Sequence, residues 1–247
     1  MLRLLPTLEA DGATQMATDE ALLEAASATT LRLYRWRPAT VSLGYFQAWE
    51  EIAPRLPPGA GGPLPVVRRI TGGGAIWHEH EVTYALVGEL GRDGLPERVR
   101  EVYPLLHGAV LAELRRRGAR LDRQDADAGD RRYRDEPRCF ASPAADDLVS
   151  AAGGKVLGSA ARVRERRVLV HGSLKLASNP WDGPAVAACG LAWDEAAAAL
   201  LAGIAHALGM ATTDGGMSAA ELAARDRIRV ERYGNDDWVQ RRIGPRA

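Results

Sequence analysis

Apolar residues recur at helical spacing in four parts of this chain. In the first, leucines and alanines fall on one face of the predicted helix. In the third, an alanine-rich run stops at Gly209, a residue that favours the left-handed conformation of a helix end. The pattern predicts helices over residues 16–28, 97–118, 193–208 and 218–242, the last broken at Gly234-Asn235.

Between these helices, short apolar runs predict β-strands. Residues 54–65 are rich in Pro and Gly, residues 122–138 are charged, and both stretches are expected to be loops. The predicted strands span residues 31–36, 41–46, 65–69, 75–78, 82–87, 155–164 and 168–176. Strands in groups, with helices before, between and after them, predict one α+β domain over residues 1–247.

The composition excludes several classes of function. Acidic and basic residues balance at 32 each, so no net charge favours nucleic acid or an anionic membrane. The apolar runs are far shorter than the ~20 residues that span a bilayer, and the first residues do not resemble a signal peptide. Two cysteines, Cys139 and Cys189, predict free thiols in a reducing, cytoplasmic setting.

Lysine is nearly absent from the chain. Only Lys155 and Lys175 are lysine, so 30 of the 32 basic residues are arginine. A lysine ammonium is compact and can lose its proton near neutral pH when it is desolvated, whereas a guanidinium stays charged. Lys155 is therefore a candidate for chemistry that arginine cannot perform. Chance retention is the alternative, and it is the preferred explanation for Lys175.

The first chemical motif is a glycine turn at the end of a predicted strand, Thr71-Gly72-Gly73-Gly74. Glycines there let backbone N–H groups approach a ligand and form an anion-binding concavity. Arg68 and Arg69 lie beside the turn and can neutralise a carboxylate or a phosphate. The run matches neither a P-loop nor a dinucleotide fingerprint, and a plain tight turn is the alternative.

Two more motifs lie on the strands of the second half of the chain. In Lys155-Val156-Leu157-Gly158-Ser159-Ala160, small residues leave room beside the lysine. In Val170-His171-Gly172-Ser173-Leu174, the histidine can line the same cavity, although a buried and hydrogen-bonded histidine explains it as well. His78 and His80 share a strand face, but no third ligand at suitable spacing accompanies them, so no metal site is predicted.

In their order and spacing, these motifs resemble the biotin/lipoate protein ligase-like superfamily. The resemblance extends upstream to residues 17–23, 32–36 and 41–47 and covers nearly the whole chain. It points to the branch that handles lipoyl and octanoyl groups. The fold that it implies is a mixed, largely antiparallel central sheet flanked by helices, like that of class II aminoacyl-tRNA synthetases and biotin synthetases.

Within that branch, two activities compete. Lipoate–protein ligases consume ATP and form a lipoyl-adenylate, whereas octanoyltransferases carry the acyl group on a cysteine thioester and need no ATP. The stretch Cys139-Phe140-Ala141-Ser142-Pro143, followed by Asp147-Leu148-Val149, is similar to the monomeric Gram-positive-type octanoyltransferases, in which this cysteine is acylated. Gly74 is more ligase-like, because the transferases often have arginine there.

The resemblance also implies the residues of the site. Cys139 is the nucleophile and Lys155 its partner, while Cys189, eighteen residues after His171, is the alternative nucleophile. A buried structural thiol is the alternative for either cysteine. No cofactor is implied, but a ligase would need ATP and Mg. The implied substrate-binding residues are Arg69, Thr71, Gly72, Gly73, Gly74, His78, Gly158, Ser159, Ala160, His171 and Gly172.

The chemistry of thioester exchange fits these residues. A free thiol with a pKa of ~8.5 is mostly protonated at neutral pH, so an ammonium beside Cys139 would favour the thiolate. Lys155 can then receive the proton of the amine that attacks in the second half-reaction. Backbone amides of residues 158–160 are candidate oxyanion donors. About seven methylene units of an octanoyl chain, at ~0.8 kcal/mol each, predict an apolar slot beside residues 72–76 that contributes at most about 5–6 kcal/mol.

The expected reaction is octanoyl transfer from octanoyl-acyl carrier protein to the lysine of a lipoyl-carrier domain. Glycine cleavage H protein and the E2 subunits of 2-oxoacid dehydrogenases are such carriers, and the enzyme is expected to be a cytoplasmic monomer. An ATP-dependent lipoate–protein ligase and a non-catalytic acyl- or lipoyl-domain-binding module are the two alternatives. A basic patch for an acidic carrier protein is expected at Arg131, Arg132, Arg134 and Arg138.

Overall fold

The computed structural model describes residues 1–59, 62–125, 136–141, 143–179, 181–182 and 187–244. The helices in this part of the chain are α1 (Gly12–Ala25), α2 (Trp49–Ile52), α3 (Val99–Arg116), α4 (Trp193–Leu208), α5 (Ala219–Ile228) and α6 (Asp236–Arg241). The strands are β1 (Leu2–Leu4), β2 (Leu8–Ala10), β3 (Thr30–Trp36), β4 (Thr40–Leu43), β5 (Pro58–Gly59), β6 (Gly62–Pro63), β7 (Val66–Arg68), β8 (Ile76–His78), β9 (Glu81–Glu89), β10 (Leu121–Arg123), β11 (Leu148–Ser150), β12 (Lys155–Arg164), β13 (Arg167–Lys175) and β14 (Thr212–Asp214).

The main sheet has the strand order β10-β11-β12-β13-β9-β3-β1-β14, with β2 alongside β3. From β10 to β3 every neighbouring pair is antiparallel, whereas β1 runs parallel to both β3 and β14. A smaller sheet has the order β7-β4-β8. The expected α+β architecture, with a mixed and largely antiparallel sheet, is confirmed.

Helices cover both faces of the main sheet. Along β9, Val82, Tyr84 and Leu86 face a core that contains residues of α3 and α4, while the alternate residues Ala85 and Val87 face α1 and α5. This alternation is what a strand with two buried faces requires. The helices α3 and α4 also pack closely against each other, because at Gly203 an added Cβ would lie only 2.7 Å from the Cα of Val110.

The first helix begins four residues earlier than predicted. Asp11 caps α1 by accepting a hydrogen bond from the backbone N–H of Thr14 at 2.8 Å, which is the role of an N-cap side chain. Asp19 and Glu20 therefore lie in the middle of α1, not near its start, and both are buried. Because part of the buried face of α1 is polar, the apolar pattern in the sequence covers only part of the helix.

Other boundaries differ from the prediction for local reasons. The strand β4 ends at Leu43 because Gly44 packs against the glycine turn, where an added Cβ would lie 1.9 Å from the carbonyl oxygen of Gly73. The predicted loop 54–65 contains the short pair β5 and β6, and the predicted loop 122–138 begins with the last residues of β10, which pairs with β11. Arg131, Arg132 and Arg134 lie outside the described residues.

The C-terminal helices agree more closely with the prediction. The helix α4 spans the predicted residues, and Gly209 follows it in the left-handed conformation, with φ 63°. The tail forms α5, a π-helical turn at Arg229–Tyr233, and α6 after the predicted break. Within the described residues, the helices are all too short or too polar to cross a lipid bilayer.

Candidate active site

A cavity of about 520 Å³ lies where the glycine turn, the long hairpin β12–β13, β9, α1 and α3 meet. This volume is in the range of small-molecule binding sites. Most of the apolar part of its wall comes from large side chains, whereas the hairpin contributes small residues. The apolar lining includes Met16, Tyr34, Trp36, Phe46, Ile76, Ala160 and Ala161.

Cys139 lies in the wall of this cavity and is held against the glycine turn. Its backbone N–H donates to the carbonyl of Ala75 at 2.8 Å, and the N–H of Ala75 donates to the carbonyl of Pro137 at 2.8 Å. The cysteine begins a short 3₁₀ turn, Cys139–Ala141, and is 8% exposed. Two motifs that are far apart in sequence are thereby joined by backbone hydrogen bonds.

Lys155 is the cationic neighbour of this thiol. Its Nζ lies 3.5 Å from the Sγ of Cys139 and 2.7 Å from Oδ2 of Asp147. The side chain of Lys155 is only 2% exposed, so its charge is desolvated and requires a partner of opposite charge. The two residues predicted as the reactive pair are therefore in contact, and Asp147 is a buried carboxylate beside them that the sequence analysis did not assign to the site.

Phe140 lies between the two lysines of the chain. The centre of its ring is 5.4 Å from Nζ of Lys155 and 5.0 Å from Nζ of Lys175. Ammonium groups within about 6 Å of an aromatic ring are attracted to its face. Because Phe140 follows Cys139 directly in the chain, this arrangement fixes the turn that carries the thiol.

Gly158 provides the space in which Lys155 meets Asp147. A Cβ added at this glycine would lie 2.3 Å from Cε and 2.5 Å from Nζ of the lysine, and 3.1 Å from Oδ1 of Asp147. The side chain of Lys155 therefore crosses the position that any larger residue would fill.

We expect Gly158→Ala to lower acyl-transfer activity by about 10²-fold, because it must displace Nζ of Lys155, and a shift of about 1 Å in a reacting group has effects of this size. The matched control is Gly108→Ala on α3, where an added Cβ would meet no atom within 4 Å apart from the backbone of its own helix and its chain neighbours. Steady-state rates of both variants test the expectation. Equal activity in the two would contradict it.

A histidine on β13 connects the glycine turn to α1. The Nδ1–H of His171 donates to Oδ2 of Asp19 at 2.9 Å, and its Nε2 is 2.6 Å from the hydroxyl of Thr71. Burial alone would raise the pKa of Asp19, but Arg32 and His171 lower it below its usual value. His171 is thus both a cavity-lining residue and a buried, hydrogen-bonded one.

A second series of buried hydrogen bonds lies on the α3 side of the cavity. The Nδ1 of His107 is 2.6 Å from the carbonyl of Asp146, which can only accept, so Nδ1 carries the proton. Burial lowers the pKa of His107, so the ring is neutral and its Nε2 accepts from the hydroxyl of Ser159 at 2.7 Å. Ser159 in turn accepts from the hydroxyl of Tyr84 at 2.6 Å. These hydrogen bonds fix the rotamer of Ser159 in the cavity wall.

A third polar cluster surrounds Glu81, at the end of the cavity near His78. The Nδ1–H of His78 donates to Oε1 of Glu81 at 2.7 Å, and the ring stacks on Trp36 with centroids 3.9 Å apart. Lys175, fully buried, lies 3.3 Å from Oε2 of Glu81 and 3.2 Å from Oδ2 of Asp182. Burial alone would raise the pKa of Glu81, but His78 and Lys175 lower it to about 2.

This lowered pKa predicts a pH-dependent contribution to stability. A carboxylate whose pKa is depressed from 4.5 to about 2 by folding stabilises the folded state above pH 4.5, and this stabilisation is lost as the pH falls towards 2. We expect Glu81→Gln to lower the free energy of unfolding by about 3–5 kcal/mol at neutral pH. Urea unfolding of both proteins at pH 7, 5, 4 and 3 tests this. The difference in free energy of unfolding between the two proteins should be constant down to pH 5 and decrease below pH 4.5. A difference that does not decrease would contradict the lowered pKa of Glu81.

The other predicted site residues lie in or beside the glycine turn and on the hairpin. The guanidinium of Arg69 donates to the carbonyls of Ser42, Gly72 and Gly74 and so holds the backbone of the glycine turn in place. The hydroxyl of Thr71 contacts the cavity-lining His171. The predicted binding residues that line the cavity are Arg69, Gly72, Gly73, His78, Gly158, Ser159, Ala160, His171 and Gly172.

The alternative nucleophile lies in different surroundings. Cys189 belongs to the core of the main sheet, where its backbone N–H donates to the carbonyl of Lys175 at 2.9 Å. Burial raises the pKa of its thiol. Arg138, from the predicted basic patch, is paired with Glu136 at 2.6 Å. Among the described residues, no group of three His, Cys, Asp or Glu side chains is arranged to hold a metal ion.

Comparisons with known proteins identify the family of this chain. The family model of the lipoyl protein ligase A/B catalytic domain matches residues 11–187. An octanoyltransferase LipM of Moorella thermoacetica is 38% identical over 182 residues, which are 72% of this chain and 66% of that protein. An octanoyltransferase LipM of Symbiobacterium thermophilum is 32% identical over 273 residues, 97% of this chain and 98% of that protein. The chain belongs to the lipoyl protein ligase A/B catalytic domain family, as the sequence motifs indicated.

A solved structure supports the fold. A candidate lipoate protein ligase of T. acidophilum, with bound lipoic acid, superposes with a TM-score of 0.78. The match covers 97% of this chain and 100% of that one, at 21% sequence identity. At this identity, the similarity establishes the shared architecture and leaves the reaction to be argued from the site.

Proposed function

We propose that this protein transfers an octanoyl group from octanoyl-acyl carrier protein to the lysine of a lipoyl-carrier domain, by way of a thioester on Cys139. The observation that carries the proposal is the contact of 3.5 Å between Sγ of Cys139 and Nζ of Lys155 in the wall of the cavity. A nucleophilic thiol beside a group that can hold and return a proton is the arrangement that covalent acyl transfer requires.

The relatives favour the transferase over the ligase. Proteins named octanoyltransferase LipM match at 32–38% identity. A ligase that proceeds through an adenylate needs no nucleophilic side chain, whereas this chain places a thiol and an ammonium at the same cavity. The transferase needs no cofactor.

In the first half-reaction, the sulfur of Cys139 attacks the carbonyl carbon of the donor thioester. A C–S bond to the enzyme forms and the C–S bond to the donor breaks. Lys155 gives a proton to the departing donor sulfur as it takes the proton of the Cys139 thiol. The ammonium of Lys155 also stabilises the negative charge that develops on the carbonyl oxygen. Water-excluded surroundings make this interaction stronger than it would be in solution.

The cavity wall supports an acyl chain as the group that is bound. Met16, Trp36 and Ile76 provide apolar surface near the glycine turn, and Ala160 and Gly172 leave room across the hairpin. A saturated chain gains free energy from this burial at about 0.8 kcal/mol for each methylene.

The carrier domains of glycine cleavage H protein and of 2-oxoacid dehydrogenase E2 subunits are the proposed acceptors. Their modified lysine has to reach the thioester on Cys139 through the mouth of the cavity, where Phe46 is 75% exposed and Arg100 contributes to the wall.

Incubation of the protein with octanoyl-acyl carrier protein and a lipoyl-carrier domain, with and without ATP, tests the proposal. The expected result is a mass increase of one octanoyl group on the carrier lysine that is independent of ATP. Modification that requires free lipoate or octanoate together with ATP would establish the ligase instead. Binding of either carrier without modification would establish the non-catalytic module.

A further inference from the structure

We propose that Asp147 is the third member of this acyl-transfer site and that it accepts, through Lys155, the proton that the carrier amine loses in the second half-reaction. The inference rests on the proposed function and goes beyond it, because it assigns separate requirements to the two half-reactions.

The position of the Asp147 carboxylate is fixed from several directions. Its Oδ2 lies 2.7 Å from Nζ of Lys155 and accepts from the backbone N–H of Ala144 at 2.6 Å. The carbonyl of Asp147 accepts from the N–H of Gln124 at 2.8 Å. The carbonyl of the preceding residue accepts from Nδ1 of His107 at 2.6 Å. A loop that is tied to β10 and α3 thus presents one carboxylate oxygen to one lysine.

Lys155 and Asp147 form a buried ion pair. The side chains of Lys155 and Asp147 are 2% and 6% exposed, so each charge relies on the other in place of water. An ammonium has no lone pair. Lys155 can therefore take a proton from the incoming amine only as it gives one of its own to Asp147, whose carboxylate has lone pairs to accept it.

The free amine of the carrier lysine attacks the thioester carbonyl on Cys139, and a C–N bond forms. The positively charged nitrogen then loses one proton to Lys155, which passes one to Asp147. The C–S bond breaks, and the thiolate of Cys139 takes the proton back along the same path. The products are an amide, the free thiol and the original Asp147–Lys155 pair.

The two half-reactions depend differently on this carboxylate. In the first, Lys155 takes the proton of Cys139 in the same step in which it gives one of its own to the departing donor sulfur, so that sulfur is the acceptor and none beyond it is needed. The negative charge of Asp147 opposes a thiolate nearby, but it also stabilises the buried ammonium of Lys155, so removing the charge has two opposing electrostatic effects on the first step. In the second, the attacking nitrogen has to lose its proton before the C–S bond breaks, so it needs an acceptor other than the sulfur of Cys139, and positioned proton acceptors contribute about 10²–10⁴-fold.

The experiment measures the half-reactions separately in the Asp147→Asn variant, which preserves the shape of the side chain and removes its charge. Formation of the acyl-enzyme is followed by intact mass after mixing with octanoyl-acyl carrier protein. Transfer is followed from purified acyl-enzyme after addition of a lipoyl-carrier domain, at pH 6 to 9. The matched control is Asp182→Asn, which removes a carboxylate from the other buried lysine, Lys175.

We expect Asp147→Asn to form the acyl-enzyme within about fivefold of the wild-type rate. It should transfer the octanoyl group to the carrier at least about 10²-fold more slowly. The residual transfer rate should rise with pH, because hydroxide then accepts the proton in place of the carboxylate. Asp182→Asn should change both half-reactions by the same factor, as a purely structural loss would. Equal slowing of both half-reactions in Asp147→Asn, or transfer within threefold of the wild-type rate, would overturn the inference. Absence of an acyl-enzyme in the wild-type protein would instead overturn the proposed function.

Discussion

Replacing Cys139 with serine is expected to lower octanoyl transfer by about 10³-fold or more, since loss of a covalent nucleophile has effects of this order or larger. A serine hydroxyl is far less ionised than a thiol and needs a strong adjacent base to act as a nucleophile. The only change is one atom in a side chain that is 8% exposed, so the fold should be retained. Rates of carrier modification and thermal unfolding of the variant check both points.

Cys189→Ser is the matched control for that substitution. Cys189 is 4% exposed and belongs to the core of the main sheet, so its replacement should cost stability while transfer stays within a few-fold of the wild-type rate. If Cys189→Ser abolished transfer and Cys139→Ser did not, the nucleophile would be the second cysteine and the site described above would be wrong.

Lys155→Arg is expected to lower transfer by about 10²–10³-fold. The guanidinium keeps the positive charge but does not release a proton in a protein, so it cannot pass one between the sulfur of Cys139 and Asp147. Arginine is also larger, and Gly158 leaves space that Lys155 already fills. Arginine is preferable to alanine here because alanine would leave the buried Asp147 unpaired, a change that costs about 3–5 kcal/mol.

The same substitution at the other lysine provides the control. Lys175 is fully buried between Glu81 and Asp182, so Lys175→Arg imposes a similar steric and electrostatic change at a lysine that approaches the turn of Cys139 through the ring of Phe140. We expect a lower midpoint of thermal unfolding and at least a tenth of the wild-type transfer rate, measured below that midpoint. If both variants lost activity equally, the special role of Lys155 would be contradicted.

Much of the fold follows from the pattern of the sequence. The hairpin β12–β13 and the helix α4 were predicted nearly residue for residue, because two strand-like runs joined by a short charged turn and a glycine-stopped helix are strong local signals. The start of α1 was placed too late because its inner face carries Asp19 and Glu20, which periodicity analysis treats as exposed. Buried ion pairs between distant elements, such as Arg32 with Asp19, leave no periodic signal.

The scarcity of lysine pointed to Lys155, whereas Lys175 was attributed to chance retention. In a chain that uses arginine almost everywhere, both lysines are 2% exposed or less and both are paired with carboxylates. A compact ammonium fits a narrow buried position that a guanidinium does not, so chance retention does not account for Lys175. The scarcity of lysine therefore marks buried positions in general, and the motif around Lys155 is needed to single out one of them.

The site residues that were not predicted from the sequence form hydrogen bonds or ion pairs with residues that were predicted. Asp147 stood in the quoted stretch after Cys139, but the intervening residues gave no indication that its carboxylate returns to Lys155. His107 lies on α3, where its spacing fits an ordinary buried face, and its contact with Ser159 spans 52 positions of the sequence. Partners of this kind depend on how the loop and the helix pack on the sheet.

Mapping the acylated residue after mixing the wild-type protein with octanoyl-acyl carrier protein tests the central claim most directly. The account predicts one octanoyl group on Cys139, removed by hydroxylamine, present in Cys189→Ser, absent in Cys139→Ser, and discharged to a lipoyl-carrier domain without ATP. A protein that modifies the carrier at full rate with no acyl group on Cys139 at any time would contradict it.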